Sequence, residues 1–170
     1  SKAFYLIGCK DIVFTNGNLD GYKNQCLISR QCDRIEWSFN TQKNCLLDFV
    51  EIFFRNSNIQ IVNNWMEDHA NWPDNKEHRD YIQVATNPAQ RGDDGRYGTS
   101  NLTIARNVLI NNTLETVAGD ANSVAQMVFV YNDMLRINSN SPASSGYGAD
   151  KMDVSKHTNL VIEDNYIEGH

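Results

Sequence analysis

The sequence predicts an all-β solenoid, a stack of about five coils, and three observations carry that prediction. A nine-residue phrase recurs five times, as Asp11-Ile-Val-Phe-Thr-Asn-Gly-Asn-Leu19, Arg34-Ile-Glu-Trp-Ser-Phe-Asn-Thr-Gln42, Asn58-Ile-Gln-Ile-Val-Asn-Asn-Trp-Met66, Asn101-Leu-Thr-Ile-Ala-Arg-Asn-Val-Leu109 and Asn159-Leu-Val-Ile-Glu-Asp-Asn-Tyr-Ile167. Each copy places apolar residues at its second and fourth positions and Asn or Gly at its seventh. Ile12 to Ile35 is 23 residues and Ile35 to Ile59 is 24, a unit too short to bury its own apolar face without a stacked neighbour.

The chain opens on an apolar strand, Ser1-Lys-Ala-Phe-Tyr-Leu-Ile7, and enters the first phrase at Asp11. Period-2 alternation sends Ile59 with Ile61, and Leu102 with Ile104, to one interior face. The seventh-position residues Asn64, Asn107 and Asn165 are expected to mark bends, since Asn tolerates left-handed backbone angles. Stacked in successive coils, they can hydrogen-bond along the stack for roughly 1 kcal/mol per bond. A second strand class lies between phrases: Gln25-Cys-Leu-Ile-Ser29, Asp48-Phe-Val-Glu-Ile-Phe53, Asp80-Tyr-Ile-Gln-Val84 and Gln126-Met-Val-Phe-Val130. From Ile28 to Ile35 the connection is seven residues, whereas Val84 to Leu102 takes 18 and Val130 to Leu160 takes 30. The extra length is therefore expected at one turn in consecutive coils, with insertions at 67–79, 86–100 and 131–158 of a single segment spanning 1–170. The abrupt start, and an end inside another coil at Asn165-Tyr-Ile-Glu-Gly-His170, lead us to expect a piece of a longer solenoid.

Composition fits one narrow-cored domain: 41% of residues are hydrophobic, and 22 of the 170 are Asn, far more than a helical protein would use. The formal charge of −6, with no basic stripe, argues against nucleic acid as a partner. No apolar run is long enough to span a bilayer as a helix, which argues against membrane insertion. All four Cys fall in the first 45 residues. Cys9 and Cys32 each stand three residues before an equivalent Ile, and Cys26 and Cys45 resemble a second stacked pair. Parallel side chains make disulfide geometry awkward for stacked pairs, so a reduced, buried ladder is expected. No Cys-x-x-Cys spacing supports zinc.

Three segments, His78-Arg-Asp-Tyr-Ile-Gln83, Asn101-Leu-Thr-Ile104 and Ala125-Gln-Met-Val-Phe129, look like the patterns His-x-Asp-x-Ile-Gln, Asn-x-Thr-Ile and Ala-Gln-x-Ile-Phe, the last with Val at the Ile position. On these and the repeat the chain resembles the right-handed parallel β-helix proteins of the pectate-lyase-like superfamily, in a subgroup found in bacterial and phage proteins. That resemblance implies a right-handed parallel β-helix and a polysaccharide or surface glycan as partner. It does not imply one reaction, because the architecture hosts lyases, hydrolases, epimerases and non-catalytic binders.

Candidate site residues cluster on the expected insertions. A lyase or epimerase needs a base for the proton α to a uronate carboxylate and a cation to neutralise that carboxylate. His78 or Lys151 could be the base and Arg79 the neutraliser, with Asp80 beside them. Asp80 and Gln83 could equally hydrogen-bond the turn backbone of the next coil. Aligning Asp80-Tyr-Ile-Gln with Gln126-Met-Val-Phe stacks Asp80 against Gln126. Trp72, Gln83, Arg96, Tyr97, Gln126, Tyr131 and His157 complete the expected substrate-binding set. Asp93 and Asp94, between Gly92 and Gly95, form a candidate calcium site, though a solvated turn has the same composition. The expected function is glycan binding, with cleavage or epimerisation as its enzymatic form, outside the cell or on a virion surface. The alternative is a non-catalytic receptor-binding or structural spike of a phage-like particle, for which a homotrimer is the expected assembly.

Overall fold

The computed structural model describes residues 3–22, 24–45, 47–69, 81–85, 98–110, 128–130 and 158–167, and every regular element among them is a strand. The strands form three parallel five-stranded sheets, visited in rotation. Sheet A contains β1 (Phe4–Ile7), β4 (Leu27–Arg30), β7 (Val50–Phe53), β10 (Ile82–Ala85) and β13 (Val128–Val130). Sheet B contains β2 (Lys10–Thr15), β5 (Asp33–Ser38), β8 (Ser57–Val62), β11 (Ser100–Ala105) and β14 (Thr158–Glu163). Sheet C contains β3 (Asn18–Asp20), β6 (Thr41–Cys45), β9 (Trp65–His69), β12 (Val108–Ile110) and β15 (Tyr166–Ile167).

The sequence phrase sets the register. Ile12, Ile35, Ile59, Leu102 and Leu160 pair in succession across sheet B, so all five copies align at their second position. In sheet A, Ile82 pairs with Val128, as the alignment of the second strand class requires. The inward side chains of the three sheets meet in one core that includes Leu27, Val50, Ile52 and Ile82 from sheet A, Ile35, Trp37, Ile59, Ile61, Leu102 and Ile104 from sheet B, and Met66 and Leu109 from sheet C. Aromatic rings stack in register within it: Phe14 on Trp37 at 4.5 Å, and Phe49 on Tyr81 at 4.9 Å between centroids. Gln42, polar at a ninth position otherwise apolar, is buried because the indole N–H of Trp37 donates to its Oε1 at 2.9 Å.

The corner between sheets B and C is the most regular feature of the chain, and it differs from the sequence expectation. The left-handed residue is the sixth of each phrase, Asn16, Phe39, Asn63, Arg106 and Asp164, with φ between 53° and 58°. The seventh-position Asn does not take the left-handed angle but forms the expected ladder along the stack. Asn40, Asn64, Asn107 and Asn165 turn inward, and each Oδ1 accepts the backbone N–H of the seventh residue one strand back, at 2.8–3.0 Å. Each Nδ2 donates to the carbonyl of a fourth-position residue: Phe14, Trp37, Ile61 and Ile104 in turn. The ladder thus satisfies backbone groups that a two-residue corner would otherwise leave unpaired in the interior. Gly17 replaces Asn in the first phrase for lack of room, since a Cβ there would lie 2.5 Å from the Phe14 ring.

Four further expectations change. Sheet C was not anticipated as a separate strand class. The insertion expected at 67–79 begins later, because β9 runs to His69. Extra length also falls at two corners rather than one: between sheets C and A, where 70–81 and 111–127 intervene, and between A and B, where 86–99 and 131–157 do. Cys26 and Cys45 are not equivalent. Leu27 pairs with Val50, which places Cys26 level with Phe49 before sheet A, whereas Cys45 closes β6 in sheet C and pairs with His69. Cys9 and Cys32 are equivalent, each directly preceding the paired residues Lys10 and Asp33. All four are free thiols here.

Candidate functional site: an amide-lined groove on sheet B

The first residue of every phrase, Asp11, Arg34, Asn58, Asn101 and Asn159, is also left-handed, with φ between 52° and 58°. A single left-handed residue just inside the strand interrupts the pairing for one position, and the five side chains line up on the surface. They form an outer ladder. Arg34 grips Asp11 with two bonds, of 2.5 and 2.9 Å, and also pairs with Asp33. Asn58 Nδ2 and Ser57 Oγ both donate to Asp33 Oδ1 at 2.8 Å. Asn101 Nδ2 then donates to Asn58 Oδ1 at 2.9 Å, and Asn159 Nδ2 to Asn101 Oδ1 at 2.7 Å. The carboxyls at the charged end are held below the usual range, Asp11 by its bond from Arg34 and Asp33 by those from Asn58 and Ser57.

Beside the three amides run the outward third-position residues Gln60, Thr103 and Val161, which are register partners. The two rows enclose a shallow groove of about 300 Å³ lined by Asn58, Gln60, Asn101, Thr103, Asn159 and Val161. Its lining carries no formal charge. An Asn amide offers two donor hydrogens and two acceptor lone pairs. Asn58 and Asn101 each commit one of each to the ladder, leaving a donor and an acceptor at every strand, repeated at about 4.8 Å. Such a lattice of alternating neutral donors and acceptors suits a ligand rich in hydroxyl groups.

Of the site residues expected from sequence, Gln83 alone is among the described residues. It sits in β10 of sheet A, 4% exposed and in register with Glu51, which is equally buried at 5%. It therefore lies on a different sheet from the groove. His78, Arg79, Asp80, Lys151, Trp72, Arg96, Tyr97, Gln126, Tyr131, His157, Asp93 and Asp94 lie outside the described residues. Sequence reasoning passed over the groove residues because Asn at position one was read only as part of the repeat. The signal was its identity in three consecutive phrases, at Asn58, Asn101 and Asn159.

Comparison of the chain with known proteins is negative throughout. No family model, characterised protein or solved structure matches it. Among the described residues, no group of three His, Cys, Asp or Glu side chains could hold a metal ion, and no helix is long and apolar enough to cross a membrane.

Proposed function

We propose that this chain is a right-handed parallel β-helix of about five coils, of the pectate-lyase-like kind, that binds an extracellular or cell-surface polysaccharide. The polysaccharide is neutral and lies along the stack in the sheet B groove. The observation that carries this reading is the uncharged, regularly repeated lining formed by Asn58, Asn101 and Asn159 opposite Gln60 and Thr103. An anionic chain would need a local cation, and the cation of this row, Arg34, is already engaged by Asp11 and Asp33. A hydroxyl-rich chain needs only the free amide and hydroxyl groups. Val161 adds a small apolar surface for a sugar face.

The test is titration calorimetry of the full chain with neutral oligosaccharides of increasing length and with oligouronates as the charged counterpart. Affinity should rise with length until the ligand spans Asn58 to Asn159, two strand spacings or roughly 9.6 Å, and then level off. Gln60→Ala combined with Thr103→Ala should weaken binding about tenfold, the loss of one to two net hydrogen bonds. Absence of neutral-glycan binding, or binding untouched by the double substitution, would sink the proposal.

A further inference from the structure

We infer that Cys26 and Cys45 are the two halves of a disulfide that covalently closes one circuit of the chain around the core. Their sulfurs lie 3.5 Å apart, in van der Waals contact, with both side chains fully buried. The objection that parallel, stacked cysteines meet at a poor angle does not apply to them. Cys26 approaches from the corner leading into sheet A and Cys45 from the end of sheet C, so their side chains converge from different sheets. Bonding requires the sulfurs to close from 3.5 Å to about 2.05 Å, and side-chain rotation is the degree of freedom available for it. In the equivalent pair, Cys9 and Cys32, each sulfur contacts a backbone carbonyl of its own corner, that of Ile7 and that of Arg30, whereas Cys45 contacts the carbonyl of Asn24 and the sulfur of Cys26 as well.

The segment between the two sulfurs contains β4, β5 and β6, one strand from each sheet. The bond would therefore lock a complete circuit. A solenoid held only by neighbour contacts can open one unit at a time, and a closed circuit interrupts that route.

The chemistry balances with a low-molecular-weight disulfide as oxidant. The Cys26 thiolate attacks one sulfur of that oxidant and releases the first thiol. The Cys45 thiolate then attacks Cys26 Sγ and releases the second, so two protein thiols are oxidised and one disulfide is reduced to two thiols. Both sulfurs are shielded once the core is packed, so the exchange belongs to folding.

The experiment is refolding of the full chain in a buffer of reduced and oxidised glutathione, followed by alkylation and non-reducing peptide mapping. The expected product has Cys26 linked to Cys45, with Cys9 and Cys32 alkylated. It should melt roughly 5–10 °C above the same protein in reductant. A Cys9→Ser, Cys32→Ser variant should form the same bond and show the same shift. A Cys26→Ser, Cys45→Ser variant should lose the reductant dependence. Four alkylated thiols, or a bond that chiefly involves Cys9 or Cys32, would overturn the inference, and the wild-type map decides even if a variant folds poorly. None of these outcomes depends on whether the groove binds a glycan.

Discussion

At the scale of single residues, this chain uses asparagine in two ways that its sequence does not separate. Asn107 is fully buried, accepts the backbone N–H of Asn64 at 3.0 Å, and donates to the carbonyl of Ile61 at 2.8 Å. Asn101, six residues earlier, is exposed and bonds only other side chains of the outer ladder. The difference is energetic as well as geometric. Removing a buried partner strands a desolvated polar group, which costs more than the net value of an ordinary hydrogen bond. Asn107→Ala should therefore lower unfolding free energy by about 2–4 kcal/mol in urea titration, because the buried Asn64 amide groups lose their acceptor. A loss below about 1 kcal/mol would mean that water or a shifted backbone replaces the side chain.

At the scale of the element, the corner between sheets B and C shows which residue bears conformational cost. Asn16, Asn63 and Asp164 occupy the left-handed position with side chains that tolerate it, whereas Phe39 holds φ of 53° and is 57% exposed. A bulky residue in that region is disfavoured. Phe39→Asn should stabilise the chain by about 0.5–1 kcal/mol and raise the thermal midpoint by roughly 2 °C in a calorimetric scan. An unchanged or lower midpoint would show that the exposed ring contributes packing. Sheets A and B were legible in the sequence because every one of their strands except β4 carries two alternating apolar residues, as Ile59 and Ile61 do. Sheet C was not, because β3 and β12 offer one buried position apiece, Leu19 and Leu109, and one residue defines no period. The seventh-position Asn announced a bend correctly, but its amide chemistry suits a left-handed corner and a buried ladder equally well, so composition could not choose. Much the same ambiguity hid the groove, since the first-position Asn residues repeat as faithfully as the structural ones.

At the scale of the whole molecule, stability is a sum of neighbour interactions along the stack. In sheet B, β5, β8 and β11 have a partner on both sides, and their inward residues Ile35, Trp37, Ile59, Ile61, Leu102 and Ile104 are at most 2% exposed. β2 and β14 flank them with one partner each, and their equivalents Ile12 and Leu160 are only partly buried. Amide hydrogen exchange of this chain should therefore be at least about tenfold slower in β5, β8 and β11 than in β2 and β14. Uniform protection across the five strands would instead indicate one all-or-none unit.

The two-residue corner between sheets B and C keeps its length in all five repeats, while the other two corners range from a pair of residues to more than twenty. Because the amides at this corner bond each coil to the backbone of the preceding one, length variation elsewhere leaves the pairing of either sheet undisturbed. The fold is thus a host for foreign sequence: new surface can be grafted at two edges, while the third keeps the count.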